Sequence, residues 1–450
     1  MQEPKLEEML KIIADNKRYA KEEEEKYGGE DPLFTSKQVI NALYAEEDGD
    51  KFLLINLLKG KKCYDYSQKE WFKLKGRLWE ESTTDGVFGD FDEVISTYEG
   101  ELNKQQIEDS QANRELEVVN ENKFAGDKAA EIRKRKLEDK IESCGKNIKA
   151  LKKRIYELRF YNRKRHIISM SRDFDSGGIG IIGEEWEIQP HTLPCKDRLL
   201  FIERRESRKI LPEDYILHKS TAPTGWNPRA NCKRWEQFMD EIFDGDREMV
   251  LYMQRVLGYA LSGTCEKHVF FILHGARGRN GKSVMLETIK DVLGPLAQKI
   301  NPELLLQNSY DKASGGPSPE ILALRGKRIA WSSEINDGKA LDLASIKEKT
   351  GGDRLAGRYM CSNKMIEFTP THTLFMLTND KPKIKGNDPA AWKRIHMIDF
   401  ALSFVDDPKA KYERQADDKL RKKLQKEAEG IFAWMARGYG EYQRIGLRPP

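Results

Sequence analysis

Residues 269–288 read VFFILHGARGRNGKSVMLET, an apolar run that passes through a glycine-rich turn into a helix-forming segment. Five apolar residues in a row, Val269–Leu273, suit a strand covered on both faces, and such strands belong to parallel sheets flanked by helices. The chain is therefore expected to supply further strand–helix units. Glycines in the turn let backbone N–H groups close around an anion, and the N-terminus of the following helix adds partial positive charge. Gly281-Lys282-Ser283 completes the pattern: the lysine reaches phosphate oxygens and the serine hydroxyl faces a divalent cation. The strict spacing places Ala276 where a first glycine stands, with Gly275 one residue earlier. The segment reads as a strand–loop–helix site for ATP and Mg²⁺, formed by Gly275, Ala276, Gly278, Asn280, Gly281, Lys282 and Ser283.

Three later segments extend this reading. Residues 326–337, GKRIAWSSEIND, give a short apolar strand ending at Glu334, a carboxylate placed to polarise water or to help hold the metal. A strand at Thr373–Leu377 ends in Thr378-Asn379, whose amide can orient water or a phosphate. Lys393 and Arg394 precede an apolar strand, His396–Phe400, and a cation there can act on a neighbouring subunit's nucleotide. Between these strands, alternation at Arg358–Cys361 and Met365–Phe368 around Ser362-Asn363-Lys364 predicts a β-hairpin with a basic tip. Lys347, Arg358 and Lys364 are the candidate DNA contacts.

The upstream half is charged. Residues up to about 40 read as a helix with a solvated face, including Glu22–Glu25. Residues 63–79, CYDYSQKEWFKLKGRLW, predict a short hairpin around Gly76 whose Trp71, Phe72 and Trp79 form a small core. Leu137, Ile141, Cys144, Ile148, Leu151, Ile155 and Leu158 follow a heptad seam interrupted by Gly145. Residues 131–165 hold 14 Lys/Arg against 5 Asp/Glu, a net +9 in a chain whose total is only +4. That patch suits either a phosphate backbone or the solvated face of an antiparallel helix pair. Residues 173–185 and 219–232 read as connections, and two helices are expected on either side of Asp244–Gly245–Asp246. No apolar run approaches the ~20 residues of a membrane span. The six cysteines form no C-x-x-C pair, which disfavours a zinc site or a disulfide framework. With no apolar leader in MQEPKLEEML, a cytoplasmic protein is expected, in the host cytoplasm if viral.

Taken together, ARGRNGKS, the strand ending in SSE, IKEKTGGDRLAGR, EFTPTHTLFMLTND and AAWKRI resemble the superfamily 3 helicases, in the branch of phage and plasmid primase–helicases and poxvirus-type replication ATPases. The resemblance covers residues ~173–450 and includes Leu193-Pro194-Cys195, DYILHKSTAPTGWNP and the helical stretch from Trp235 to Gly263. It implies an α/β fold, an AAA+-like P-loop ATPase core preceded by helical and small α+β regions. The implied divisions are 1–172, 173–262, 263–402 and 403–450. By residue, it implies Lys282 and Ser283 as phosphate and metal ligands and Glu334 as the acid of the second motif. Asn379 becomes the sensor, Arg394 the finger and Lys364 the hairpin-tip DNA contact. It further implies a hexameric ring, a single strand of DNA in the central channel with duplex at the fork, and usually 3′→5′ movement. A primase or polymerase is an expected partner. Departures are Ser332-Ser333 before Glu334, the lengthened loop after Gly275, and Lys196-Asp197 where relatives carry Asn-Gly. No stretch is recognised as a primase module, so the expectation is a helicase alone or a piece of a longer primase–helicase. The competing class is an ATP-switched origin-recognition or loading module, which the basic helices would serve. A DNA-packaging motor lacks a nuclease-like partner segment.

Overall fold

A computed structural model describes residues 33–121, 128–174, 177–307, 317–333, 340–360, 365–384 and 388–450. The expectations for Glu22–Glu25, Glu334, Cys361 and Lys364 lie outside these residues. The chain divides into two units, Met1–Lys59 with Thr84–Ile179, and Gly60–Thr83 with Gly180–Pro450. The region expected at 1–172 is thus cut, because residues 60–83 contribute strands to the second unit.

The first unit is helical: α1 (Ser36–Tyr44), α2 (Glu46–Leu58), α3 (Thr84–Glu121), α4 (Lys128–Leu158) and α5 (Tyr161–Ser171). Thr35 and Gln38 close a capping box on α1, satisfying two N–H groups that the helix itself leaves open. Glu46, Glu47 and Asp48 open α2, where acids favour the positive end of the helix dipole. The long helices α3 and α4 run antiparallel. Arg133 pairs with Glu115 at 3.4 Å, Lys140 with Glu108 at 3.5 Å and Arg159 with Glu99 at 3.1 Å, so rising numbers on one meet falling numbers on the other. The heptad seam is the buried stripe at Cys144, Leu151, Ile155 and Leu158. Gly145 does not interrupt α4; a Cβ there would meet open space. Asp50 is buried inside this unit, 2.9 Å from the Tyr98 hydroxyl and 3.2 Å from Arg154 Nη1. Burial pushes its carboxyl up, opposed by Arg154, the Tyr98 hydroxyl and Arg163.

The second unit begins with a sheet of order β3-β2-β1-β4, from β1 (Lys62–Asp65), β2 (Glu70–Lys75), β3 (Leu78–Ser82) and β4 (Gly180–Ile181). The expected hairpin is β2–β3. Gly76 sits in its two-residue turn at φ +64°, a value L side chains rarely adopt. Trp71, Phe72 and Trp79 are buried, as the core reading expects. Trp79 donates to the Pro212 carbonyl at 2.9 Å and Trp186 to Asp65 at 2.8 Å, so each indole N–H is satisfied within the core. A three-stranded antiparallel sheet follows, β5 (Thr192–Cys195), β6 (Arg198–Phe201) and β7 (Glu206–Lys209). Its first turn is Lys196-Asp197, with Lys196 at φ +50° doing the work that glycine usually does.

Next come α6 (Lys233–Ile242) and α7 (Arg247–Leu261), separated where expected, with Asp246 capping the N–H groups of Glu248 and Met249. The central sheet is parallel throughout, of order β16-β8-β14-β10-β9. Its strands are β8 (Phe270–His274), β9 (Ala297–Lys299), β10 (Ile329–Ser333), β14 (Thr373–Thr378) and β16 (Ile395–Asp399). Alternate residues serve opposite faces. Phe271, Leu273, Trp331, Phe375 and Leu377 join the core formed with α6, α7, α8 (Lys282–Leu293) and α13 (Ala428–Ile445). Phe270, Ile272, Ala330, Leu374 and Met376 join a second core with Leu305, Leu341, Ile346 and Leu355. Helices α7 and α13 touch through glycines: a Cβ on Gly258 would lie 2.1 Å from the Tyr439 nitrogen, and one on Gly438 2.0 Å from the Gln254 carbonyl.

The segment between β10 and β14 holds α10 (Leu343–Thr350), preceded by the short α9 (Pro319–Leu322), and the strands β11 (Ala340–Leu341), β12 (Leu355–Gly357) and β13 (Ile366–Phe368). The hairpin exists, but its first strand is Leu355–Gly357 rather than Arg358–Cys361. Leu355 and Gly357 face inward, whereas Tyr359 and Met360 are 51% and 73% exposed, so alternation beyond 358 had no core to report on. The chain continues through β15 (Lys383–Ile384), α11 (Pro389–Trp392), β17 (Ser403–Val405), β18 (Glu413–Gln415) and α12 (Leu420–Gln425). Among the described residues no helix is long and apolar enough to cross a membrane. The five cysteines described are free.

Candidate functional site

The C-terminal edge of the central sheet gathers the glycine-rich loop from β8, Asn379 from the end of β14 and Asp399 from the end of β16. The loop closes tightly because three successive demands fall on it. Gly278 and Gly281 take φ of +67° and +82°, and Arg279 between them takes +48°. Gly281 is also boxed by α6, where an added Cβ would sit 2.7 Å from Ile242 Cγ2. Gly275 must be glycine for another reason: a Cβ there would lie 2.0 Å from Asn280 Nδ2 and 2.7 Å from Lys282 Nζ.

Lys282 opens α8 and is 5% exposed. Its ammonium donates to the Gly275 carbonyl at 3.2 Å and to Asn379 Oδ1 at 3.1 Å. Asn280 donates to the same Gly275 carbonyl at 3.0 Å. Neither bond offers Lys282 a full negative charge. Burial therefore pulls its pKa down to about 8, with Asp399 opposing the shift. The loop is anchored from behind. The Gly275 N–H donates to the Thr378 carbonyl at 3.1 Å, Ser403 Oγ to the Gly278 carbonyl at 3.1 Å, and the Phe404 N–H to the Arg279 carbonyl at 2.8 Å. Arg277 stacks over the Tyr412 ring at 4.1 Å. Ser283 is exposed on the first turn of α8, and Ala276 is exposed on the loop.

The arrangement fits a polyphosphate. A buried lysine with no carboxylate partner among the described residues, backbone N–H groups at a helix start and a cradle that a side chain at Gly275 would fill are the chemistry such an anion needs. The Ser283 hydroxyl is the described group suited to a cation carried by that anion. Among the described residues no cluster of three or more His, Cys, Asp or Glu could hold a metal by itself.

Sequence reading missed His274 and Asp399. His274 Nδ1 lies 2.7 Å from Asp399 Oδ1, beneath the loop and across 125 residues of sequence. The only signal was that both polar residues end apolar strands, which becomes informative once those strands are known to be neighbours. Ser403 and Tyr412 carried no signal at all.

The family described as D5 N terminal like matches residues 51–244. A candidate helicase of Acanthamoeba polyphaga mimivirus is 29% identical over 215 residues, covering 46% of this chain and 22% of that protein. One of Invertebrate iridescent virus 6 is 30% identical over 245 residues, covering 50% of this chain and 25% of that protein. Primase D5 of Fowlpox virus is 27% identical over 169 residues, covering 36% of this chain and 20% of that protein. The chain is a relative of the poxvirus-type primase–helicases. It spans a quarter or less of the length of these three proteins.

In this primase–helicase relative the remaining described candidates, Arg394, Lys347 and Arg358, are not among the hydrogen-bond partners of Lys282. Arg394 precedes β16, at the opposite edge of the sheet, level with Val269 and about 20 Å from the loop's start at Gly275 at ~3.3 Å per strand residue. There its Nη1 donates to the Lys347 carbonyl and to Thr350 Oγ1, both at 3.1 Å. Lys347 is paired with Asp388 at 2.9 Å. Arg358 is half-buried beside Ser318, whose Oγ accepts its backbone N–H at 3.3 Å.

Proposed function

We propose that this chain is the motor part of an ATP-dependent DNA helicase acting in viral or mobile-element replication, built on an AAA+-like P-loop core. The observation that carries the reading is Lys282, buried and held between the Gly275 carbonyl and Asn379 at the edge where three parallel strands end. In the proposed reaction the backbone N–H groups from Gly278 to Ser283 and the Lys282 ammonium bind the phosphates of ATP. The Asn379 amide, released from Lys282, orients the attacking water. Ser283 holds Mg²⁺, which neutralises phosphate charge when bound. His274 and Asp399 keep the strand ends in register beneath the loop.

Arg394 serves a nucleotide on a neighbouring subunit in a hexameric ring. Its distance from Lys282 within one chain agrees with that role. In that ring Lys347, Arg358 and Lys364 contact a single strand in the channel, and movement is 3′→5′.

The test is ATPase activity with and without single-stranded DNA, alongside strand displacement on a fork with a 3′ tail. Wild type and Lys282→Ala are compared. DNA-stimulated hydrolysis with displacement, both lost in the variant, supports a motor. Hydrolysis without displacement supports the loader instead, and undiminished hydrolysis in Lys282→Ala refutes the site. Arg394→Ala and Lys282→Ala, each inactive alone, should regain hydrolysis when mixed; no recovery removes the case for action across subunits.

A further inference from the structure

We infer that the helical unit carries a single-stranded nucleic-acid site of its own, on the face where α4 ends and α5 begins. Three aromatic rings stand in solvent there: Tyr156 is 65% exposed, Phe160 52% and Tyr161 62%. Their ring contacts among the described residues are with one another and with one further ring. Tyr156 meets Phe160 edge-on at 5.1 Å, and Tyr161 lies parallel to Phe88 at 5.1 Å and 7°. So much exposed aromatic surface is a cost unless something covers it.

Charge says what covers it. Lys149, Lys152 and Tyr156 share one face of α4 at spacings of three and four, and Tyr161 and Arg165 share one face of α5 at a spacing of four. Lys149, Lys152 and Arg165 have no ion-pair partner among the described residues. The neighbouring cations are already occupied: Arg159 by Glu99, Lys153 by Glu157, Lys164 by Asp92, and Arg163 by Glu47 and Asp50. What remains free is a run of three rings with cations at either end, Lys149 and Lys152 before them and Arg165 after. An aliphatic protein surface would leave those cations without partners. A strand of unpaired bases uses both, the bases stacking on the rings and the phosphates meeting the cations. A duplex, whose bases are already stacked, leaves the rings unused. Among the described residues the cations of 131–165 thus resolve into those with ion pairs and five without, of which Lys149, Lys152 and Arg165 flank the aromatics while Arg135 and Lys136 lie earlier on α4.

This site is independent of nucleotide, so it is tested on the full chain without ATP. Binding of a fluorescein-labelled 20-mer of thymidine is followed by anisotropy across a salt series. Tyr156→Ala/Phe160→Ala is expected to lower affinity about 5- to 150-fold for each stacked base lost. Lys149→Gln/Lys152→Gln is expected to reduce the salt slope by about 1.4, two phosphate contacts' worth on a single strand. ATP hydrolysis without DNA stays at the wild-type level in both. In the wild type, a bromouracil-substituted oligonucleotide cross-links on irradiation to Tyr156 or Tyr161. Unchanged affinity in both variants, or cross-links confined to residues 180–450, overturns the inference. So does a wild type that binds no oligonucleotide. A change in sedimentation without a change in oligonucleotide affinity also overturns it, and marks the patch as a protein contact.

Discussion

The proposed nucleotide site predicts that binding is proton-linked through Lys282. Its amine is held at about 8 against an ordinary 10.5, because burial opposes the charge and outweighs Asp399, which favours it. At pH 9 about nine-tenths of free chains therefore carry a neutral amine, at pH 8 about half and at pH 7 about one-tenth. A polyphosphate seated on the loop restores the charged form. Each binding event then takes up about 0.9 proton at pH 9, about 0.5 at pH 8 and about 0.1 at pH 7. Phosphate itself titrates near pH 6, so at pH 8 and 9 the nucleotide contributes at most about 0.01 proton, whereas at pH 7 its own release offsets the small lysine uptake. The sign follows. Affinity falls as pH rises, by about tenfold per unit once above pH 8, until the ordinary lysine value is passed. The assay is calorimetric titration of a non-hydrolysable ATP analogue with Mg²⁺ at pH 9, in two buffers of different ionisation enthalpy. Wild type is compared with Lys282→Met. Wild-type uptake near zero, or equal uptake in the variant, refutes the assignment of this amine as the phosphate ligand.

Three further outcomes are expected. Gly275→Ala drives a Cβ into Asn280 and Lys282 and lowers nucleotide affinity by about tenfold or more, read by the same calorimetry. Gly438→Ala forces α13 from the Gln254 carbonyl on α7 and costs about 1–3 kcal/mol, read as a lower urea midpoint. Asp50→Ala leaves the buried Arg154 guanidinium without its carboxylate and costs about 3–5 kcal/mol. Adding Arg154→Leu to that variant restores part of the loss in a thermal melt.

The parts legible in sequence are those where local pattern and tertiary role coincide. Val269–Leu273 is apolar because it is covered on both faces, and the loop after it needs glycine for reasons of backbone angle and space. Both facts are local, so the strand, the loop and Lys282 could be read directly. The heptad seam of α4 was legible for the same reason, and the Trp71–Trp79 core followed from alternation. What could not be read depends on distant partners. Asp399 matters because β16 lies beside β8, an order no spacing reveals. The hairpin at Leu355–Gly357 was displaced in the reading because Arg358–Cys361 also alternates, and only Leu322 and the second core distinguish the two. Lys347 looked like a free cation, yet Asp388 holds it from 41 residues away. The assignment of residues 60–83 to the second unit was hidden for the same reason: their partners are Ile181, Trp186, Pro212 and Leu217.

That last arrangement governs how the protein is made. While it is being synthesised, the hairpin around Gly76 leaves the ribosome long before its core can close. Trp79 waits for Pro212, 133 residues later, a delay of roughly 7 to 27 s at bacterial to eukaryotic elongation rates of about 5–20 residues per second. Throughout that interval three large aromatics stand uncovered on a nascent chain, and α2 likewise awaits α5. Newly made copies are therefore most exposed to chaperones, or to one another, before Pro212 emerges, well ahead of the glycine-rich loop.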